Sequence, residues 1–311
     1  MSILLCGSLA FDTIMVFPDR FKNHILPDRI HQLSVAFLVP EMRREFGGTA
    51  GNIAYNLRLL GDEPHILATV GEDFAPYRDR LFSLGLNQSG VRVIPEYYTA
   101  QAFITTDLYD NQITAFHPGA MSASHLNTID RVEGVTLGVV SPDGREGMIQ
   151  HAQQFKAAGI PFLFDPGQGL PLFSGPELLE FLDQASYLAV NDYEAQMMVE
   201  KTGIPFEQLA QRVLAAIVTK GSQGSTIHTD QGALNIPAVP PETLCDPTGC
   251  GDAYRAGLLY GLARGWEWAK SGRLASLMGS LKIAHQGGQN HTPSRDYIAR
   301  KFQEGFGLSL D

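Results

Sequence analysis

Residues 245–258, CDPTGCGDAYRAGL, set two glycines around one small residue and follow them with a carboxylate. Thr248-Gly249-Cys250-Gly251 reads as a turn, and Asp252 as the opening of a helix that runs through Leu262 and beyond. The glycines let successive backbone N–H groups converge. At a helix N-terminus those donors carry a partial positive charge, which suits a phosphoryl group in flight. A carboxylate at the same corner can take the proton of an attacking hydroxyl. Phosphoryl transfer depends mainly on positioning and charge stabilisation, so Asp252 need not have an unusual pKa. An aspartate in such a turn also serves as a plain helix cap. The local string therefore needs support from the rest of the chain.

Other chemistries find less support. There is no G-x-x-x-x-G-K-[ST] string and no protein-kinase signature set. The nine histidines are scattered without metal-site spacing and read as surface or core residues. Cys6, Cys245 and Cys250 form no C-x-x-C pair, and Cys250 reads as a small residue lending its amide rather than as a reactive thiol. A reducing cytoplasm is the expected location. With 23 basic and 33 acidic side chains, the formal charge of −10 disfavours binding to nucleic acid or to an anionic membrane. Residues 1–10 are a short apolar run without a basic leader, and no apolar run nears the roughly 18 residues that a span needs. The 311 residues, 44% hydrophobic and 18% charged, can bury a sizeable core, so a soluble globular protein is expected.

The elements that would position the turn follow from periodicity. Residues 2–9 read as a buried strand leading into a binding loop, 51–60 as a helix stopped by Gly61, 63–70 as a strand and 74–84 as a helix. Residues 101–107 and 112–116 alternate around Tyr109-Asp110-Asn111, which predicts a hairpin. Strands are then expected over 134–140, 161–164, 187–190 and 215–219, with helices over 144–158, 177–184, 193–202 and 206–214. Such alternation predicts an α/β fold, a mainly parallel sheet sandwiched by helices, with ligands beyond the carboxyl ends of its strands. Residues 17–45 and the hairpin break the repetition and read as a small β lid. No linker or repeat divides the chain.

The chain resembles the ribokinase-like (PfkB) carbohydrate and nucleoside kinases. Asp246-Pro247-Thr248-Gly249-Cys250-Gly251-Asp252 is similar to their D-T-x-G-x-G-D signature, and Gly47-Gly48-Thr49-Ala50-Gly51-Asn52 to their first one. Asn191-Asp192-Tyr193-Glu194 resembles the N-x-x-E motif and Thr219-Lys220-Gly221 the nucleotide loop. Four motifs in order span most of the chain. The resemblance implies one ribokinase-like domain over 1–311, with lid elements at about 13–45 and 98–118. It also implies an ATP-dependent phosphotransferase with an alcohol acceptor. Asp252 would be the base, and the amides of Gly249, Cys250 and Gly251 would hold the γ-phosphoryl. Asp12, in the loop after the first strand, would bind paired ribose hydroxyls. Gly47 and Gly48 would admit the substrate close to the backbone, and Asn52 would bond the sugar. Asn191, Thr219, Lys220 and Gly221 would serve the nucleotide, and Glu194 would hold Mg²⁺ through water. Asp246 and Thr248 would help coordinate K⁺, with 287–290 alongside. Lids in this family often pair between subunits, which implies a homodimer.

For the acceptor, Thr49 stands where sugar kinases of the family often carry Lys, which argues against a phosphate-bearing substrate. Residues 112–121, 164–171, 190–196 and 246–257 are similar to bacterial adenosine kinases. That similarity implies adenosine as acceptor, with Phe103 and Phe116 flanking the purine and Gln168 contacting it. Ribose, a sugar or another nucleoside remains the alternative, and a silent nucleoside sensor is a further one that the intact Asp252 argues against.

Overall fold

The computed structural model describes residues 2–25, 35–109 and 111–310. Part of the expected lid range 13–45, and Asp110 of the expected hairpin turn, lie outside the described residues. In chain order, β1 (Ser2–Cys6) leads into β2 (Ala10–Val16), then β3 (Glu41–Gly47), α1 (Thr49–Leu59), β4 (His65–Val70), α2 (Ala75–Ser83) and β5 (Val91–Val93). The hairpin β6 (Ala100–Thr106) and β7 (Gln112–His117) precedes β8 (Val135–Val140), α3 (Arg145–Ala158), β9 (Phe162–Phe164), α4 (Gly175–Gln184), β10 (Tyr187–Asn191) and α5 (Asp192–Thr202). The chain ends through α6 (Phe206–Ala210), β11 (Ala215–Thr219), β12 (Ser225–Thr229), β13 (Gly232–Ile236), α7 (Cys250–Ala263), α8 (Trp268–Ile283) and α9 (Arg295–Phe306).

Among the described residues, nine strands form one sheet in the order β13-β12-β11-β10-β9-β8-β1-β4-β5. Its pairs are parallel from β5 to β11, and β12 and β13 close that edge antiparallel. The central strands are continuous apolar runs because helices cover both faces. In β1, Ile3 and Leu5 join one core with α1, α2, α7, α8 and α9, while Leu4 and Cys6 join the other with α3 to α6. That alternation, one strand feeding two cores, is the sandwich expected from the strand–helix repetition.

Four strands form the second sheet in the order β3-β2-β6-β7, and this is the lid. Two expectations are corrected here, and one element is new. Asp12 lies inside β2, because β3 and β6 pair with that strand on both sides. The helix expected over 206–214 stops at Ala210, and residues 225–236 form an unexpected antiparallel hairpin.

Candidate active site

Gly249 is the N-cap of α7, and its φ of +76° is a left-handed conformation that favours glycine. The turn opens α7, whose first amides lack an intrahelical acceptor. Cys250 N–H instead donates back to the Pro247 carbonyl at 3.1 Å. The N–H groups of Gly249 and Gly251 have no protein acceptor among the described residues. The thiol of Cys250 is pushed up to about 11, by burial first and then by Asp246 and Asp252 against the opposing charge of Lys282. The helix N-terminus does not make it a reactive thiolate.

Asp252 follows in the first turn of α7, partly buried. Burial raises its pKa to about 6, and the Asp165 and Asp12 charges add to this, while the hydrogen bond from Asn52 and the charge of Arg255 oppose it. Asn52 Nδ2 donates to Asp252 Oδ2 at 2.8 Å. Its carbonyl oxygen accepts from Gln289 Nε2 at 3.1 Å, and the same Nε2 lies 2.7 Å from the Tyr77 hydroxyl. Tyr77 in turn donates to the Gly47 carbonyl at 2.7 Å. Because Tyr77 must donate to that carbonyl, Gln289 must donate to Tyr77 and Asn52, which turns the amide nitrogen of Asn52 toward Asp252. Asn52, expected at the sugar, is thus held against the carboxylate.

Asp12 stands on the lid. Its side chain lies over Gly47, where an added Cβ would come within 2.4 Å of Oδ2, so a glycine is required at that position. Gly48 caps α1. Burial first, then the Glu45 and Asp246 charges, raise Asp12 to about 6. The register aligns Asp12 with Glu45 of β3 and Ala102 of β6, and Ala102 with Phe116 of β7. These four side chains share one face of the lid. Phe103 pairs with Thr13 and Ala115 and therefore points to the opposite face. A purine flanked by both phenylalanines is inconsistent with this register. Phe116 is half-exposed beside Asp12, and Gln168 is exposed on the short helical turn after β9.

Farther along the sheet edge, Asn191 and Glu194 form a capping box on α5. Asn191 Oδ1 accepts from Glu194 N–H at 2.7 Å, and Glu194 Oε2 accepts from Asn191 N–H at 2.8 Å. The pattern that resembled a metal motif is therefore a helix cap as well. Glu194 keeps its other oxygen, and its pKa is raised by burial and by Asp165 against the charge of Arg255. Thr219 pairs with Asn191 across β10 and β11. Lys220 Nζ donates to Thr226 Oγ1 at 2.8 Å, and Gly221 begins the next turn.

Arg255, Lys282 and Gln289 carry no assignment from the sequence. Arg255, one turn past Asp252, is buried against Asp165, with Nη2 2.7 Å from Oδ1 and Nε against Oδ2. Asp246 accepts Thr248 N–H and Gly287 N–H, each at 2.8 Å, joining the 246–249 and 285–288 turns. Those bonds hold its carboxyl below the usual carboxylate range although burial works the other way. Lys282 Nζ donates to the Asp246 and His285 carbonyls at 2.7 and 3.0 Å. No local motif marks Arg255, Lys282 or Gln289; only the fold brings them to Asp252. A cavity of about 720 Å³ between α8, α9 and residues 239–242 holds none of the expected site residues. Among the described residues, no group of three or more His, Cys, Asp or Glu is placed to hold a metal ion, and no helix is long and apolar enough to cross a membrane.

A parallel sheet carrying a glycine-bounded helix N-terminus, a carboxylate in its first turn and a small β lid defines a ribokinase-like phosphotransferase architecture. Residues 9–295 match the pfkB family carbohydrate kinases, and the chain belongs to that family. It is a phosphotransferase with an alcohol group as acceptor. It is 32% identical over 284 residues to a nucleoside kinase of Methanocaldococcus jannaschii, covering 89% of this chain and 92% of the relative. It superposes with a TM-score of 0.91 on the structure of Burkholderia thailandensis nucleoside kinase in complex with inosine, at 54% identity and 99% coverage of both chains. The same enzyme in complex with ADP-inosine gives a TM-score of 0.88, covering 99% of this chain and 97% of that one.

Proposed function

We propose that this protein is an ATP-dependent nucleoside kinase that transfers the γ-phosphoryl group to the ribose 5′-hydroxyl of adenosine, giving AMP and ADP. The observation that carries this reading is the row Asp12, Ala102, Phe116 on one face of the lid, with Asp12 among the charges that raise Asp252. A carboxylate for a ribose diol, a small residue that leaves room and an aromatic ring in line suit a nucleoside better than a free sugar. Gln168 offers an amide that can both donate to and accept from a purine edge. The inosine and ADP-inosine complexes of the Burkholderia relative support a nucleoside and an adenine nucleotide as the two ligands.

In this reading Asp12 accepts the 2′- and 3′-hydroxyls and the 5′-hydroxyl lies at Asp252. The 5′-oxygen attacks the γ-phosphorus, its proton passes to Asp252, and the bond to the β–γ bridging oxygen breaks to release ADP. The free N–H groups of Gly249 and Gly251 hold the phosphoryl oxygens. Asn191, Thr219, Lys220 and Gly221 lie toward the nucleotide. Glu194, with one oxygen outside its cap, fits Mg²⁺ held through water, since that ion keeps several waters and takes few carboxylates. When bound, Mg²⁺ neutralises charge on the β- and γ-phosphates.

The whole chain would act as one kinase domain closed by lid elements at about 13–45 and 98–118. Met42, Phe103 and Ile113 are exposed on the lid face opposite Asp12, which supports pairing of two copies through that face. The free thiols of Cys6, Cys245 and Cys250 fit a reducing cytoplasm. The function is tested by phosphate transfer from ATP–Mg²⁺ to adenosine, inosine, cytidine and ribose in parallel. Transfer to ribose with none to adenosine would discard the nucleoside reading while keeping the family.

A further inference from the structure

Lys282 is wholly buried, at 0% exposure, in the last turn of α8. A buried ammonium is costly unless it is hydrogen-bonded or paired. Here two carbonyl oxygens converge on it, from Asp246 at 2.7 Å and from His285 at 3.0 Å. The C-terminal end of a helix also favours a cation. The two carbonyls belong to the turns that Asp246 joins through its bonds to Thr248 and Gly287. Next along the first turn come Gly249 and the N-terminus of α7. Converging carbonyls at a turn are also what a bound K⁺ ion requires, because they replace its water. The resemblance to the family implied K⁺ at Asp246 and Thr248. The residues present do not fit that ion, since the Lys282 ammonium already sits on the Asp246 carbonyl and a second cation at that junction would meet a like charge.

We propose that Lys282 is a tethered cation: its ammonium occupies the junction of the 246–249 and 285–288 turns, so that the phosphoryl site carries a fixed positive charge and works without K⁺. Burial lowers its pKa, while the charges of Cys250, Asp246, Cys245 and Asp252 favour the ammonium. Lys282 touches neither ligand in the proposed arrangement and is a positioning residue. It holds the turn that presents Gly249 and adds charge behind it. The inference rests on the phosphoryl site proposed at Gly249, Gly251 and Asp252.

The test compares the wild type with Lys282→Ala in KCl and in tetramethylammonium chloride, reading both turnover and Tm. The wild type is expected to have the same kcat and the same Tm in both salts. Lys282→Ala is expected to lose kcat by at least about tenfold in tetramethylammonium, less than the ~10²–10³ for a direct oxyanion donor. Added K⁺ or methylammonium is expected to raise both its kcat and its Tm. A wild type activated and stabilised by K⁺, or a variant fully active in tetramethylammonium, would overturn the proposal. If the variant folds in neither salt, the wild-type comparison decides alone. The Tm arm does not depend on turnover. A failure of the phosphoryl-site reading, seen as a fully active Asp252→Asn enzyme, is therefore distinguishable from a failure of the tethered cation.

Discussion

Asn52 donates its side-chain amide to Asp252 across 2.8 Å and 200 residues of chain. The bond is fixed from behind by Gln289 and Tyr77, so the donor cannot exchange places with the amide oxygen without breaking two further bonds. A carboxylate held this way keeps one oxygen on Asn52 and presents the other. The bond also opposes the burial that raises Asp252.

The acid limb of the pH profile follows. Asp12 and Asp252 both lie at about 6, and both must be ionised to bind the diol and take the proton. We expect kcat/KM to fall as pH drops through about 6, with a slope steeper than one group alone gives, as apparent values of the pair. In Asn52→Leu the lost donor lets Asp252 rise further, so the limb for kcat moves to higher pH. A limb unmoved in that variant would contradict the arrangement.

Asp252→Asn is expected to lower kcat by at least ~10²-fold, the lower range for a positioned acid–base group. The variant keeps its fold, because an amide can still accept from Asn52 through its oxygen. Near wild-type turnover with an unchanged Tm would remove Asp252 from the chemistry.

The lid register separates the two phenylalanines. Phe116→Ala is expected to weaken nucleoside binding by roughly 1–3 kcal/mol, the range for losing an aromatic stacked on a base. Phe103→Glu should leave the nucleoside KM in place and shift the sedimentation of the protein toward monomer. Equal losses of nucleoside binding in both variants would contradict the assignment of faces.

The Arg255–Asp165 pair is buried on both sides, so removing one partner strands the other. Arg255→Met is expected to destabilise the protein by about 3–5 kcal/mol in denaturant unfolding. Arg255→Met combined with Asp165→Leu should recover much of that stability, since a well-packed apolar pair can replace a buried ion pair. A single variant as stable as the wild type would show that Asp165 is already neutral there.

Local chemistry was legible in the sequence where it is continuous. The turn and helix start at 246–252 and the hairpin at 101–116 depend on residues near one another in the chain, and the parallel α/β sandwich on a strand–helix repetition that periodicity displays. Asp12 reads as a loop residue because Asp is depleted in strands. Pairing on both sides of β2 overrides that preference. The 225–236 hairpin lies outside the strand–helix repetition, since both its strands pair antiparallel. The Asn191–Glu194 spacing serves two ends, a capping box on α5 and the motif whose resemblance implies Mg²⁺, and the spacing alone does not separate them. Gln289 could not be read as a partner of Asn52, because 237 residues separate them. Lys282 carries no motif either; its meaning comes from the two carbonyls that meet it.

The most direct test of the central claim is to incubate the protein with ATP–Mg²⁺ and adenosine and to identify the phosphorylated product by mass and by NMR. The account predicts AMP carrying phosphate on the 5′-oxygen, formed in step with ADP and lost in Asp252→Asn. ADP release without any phosphorylated nucleoside, or phosphate on another hydroxyl, would contradict it.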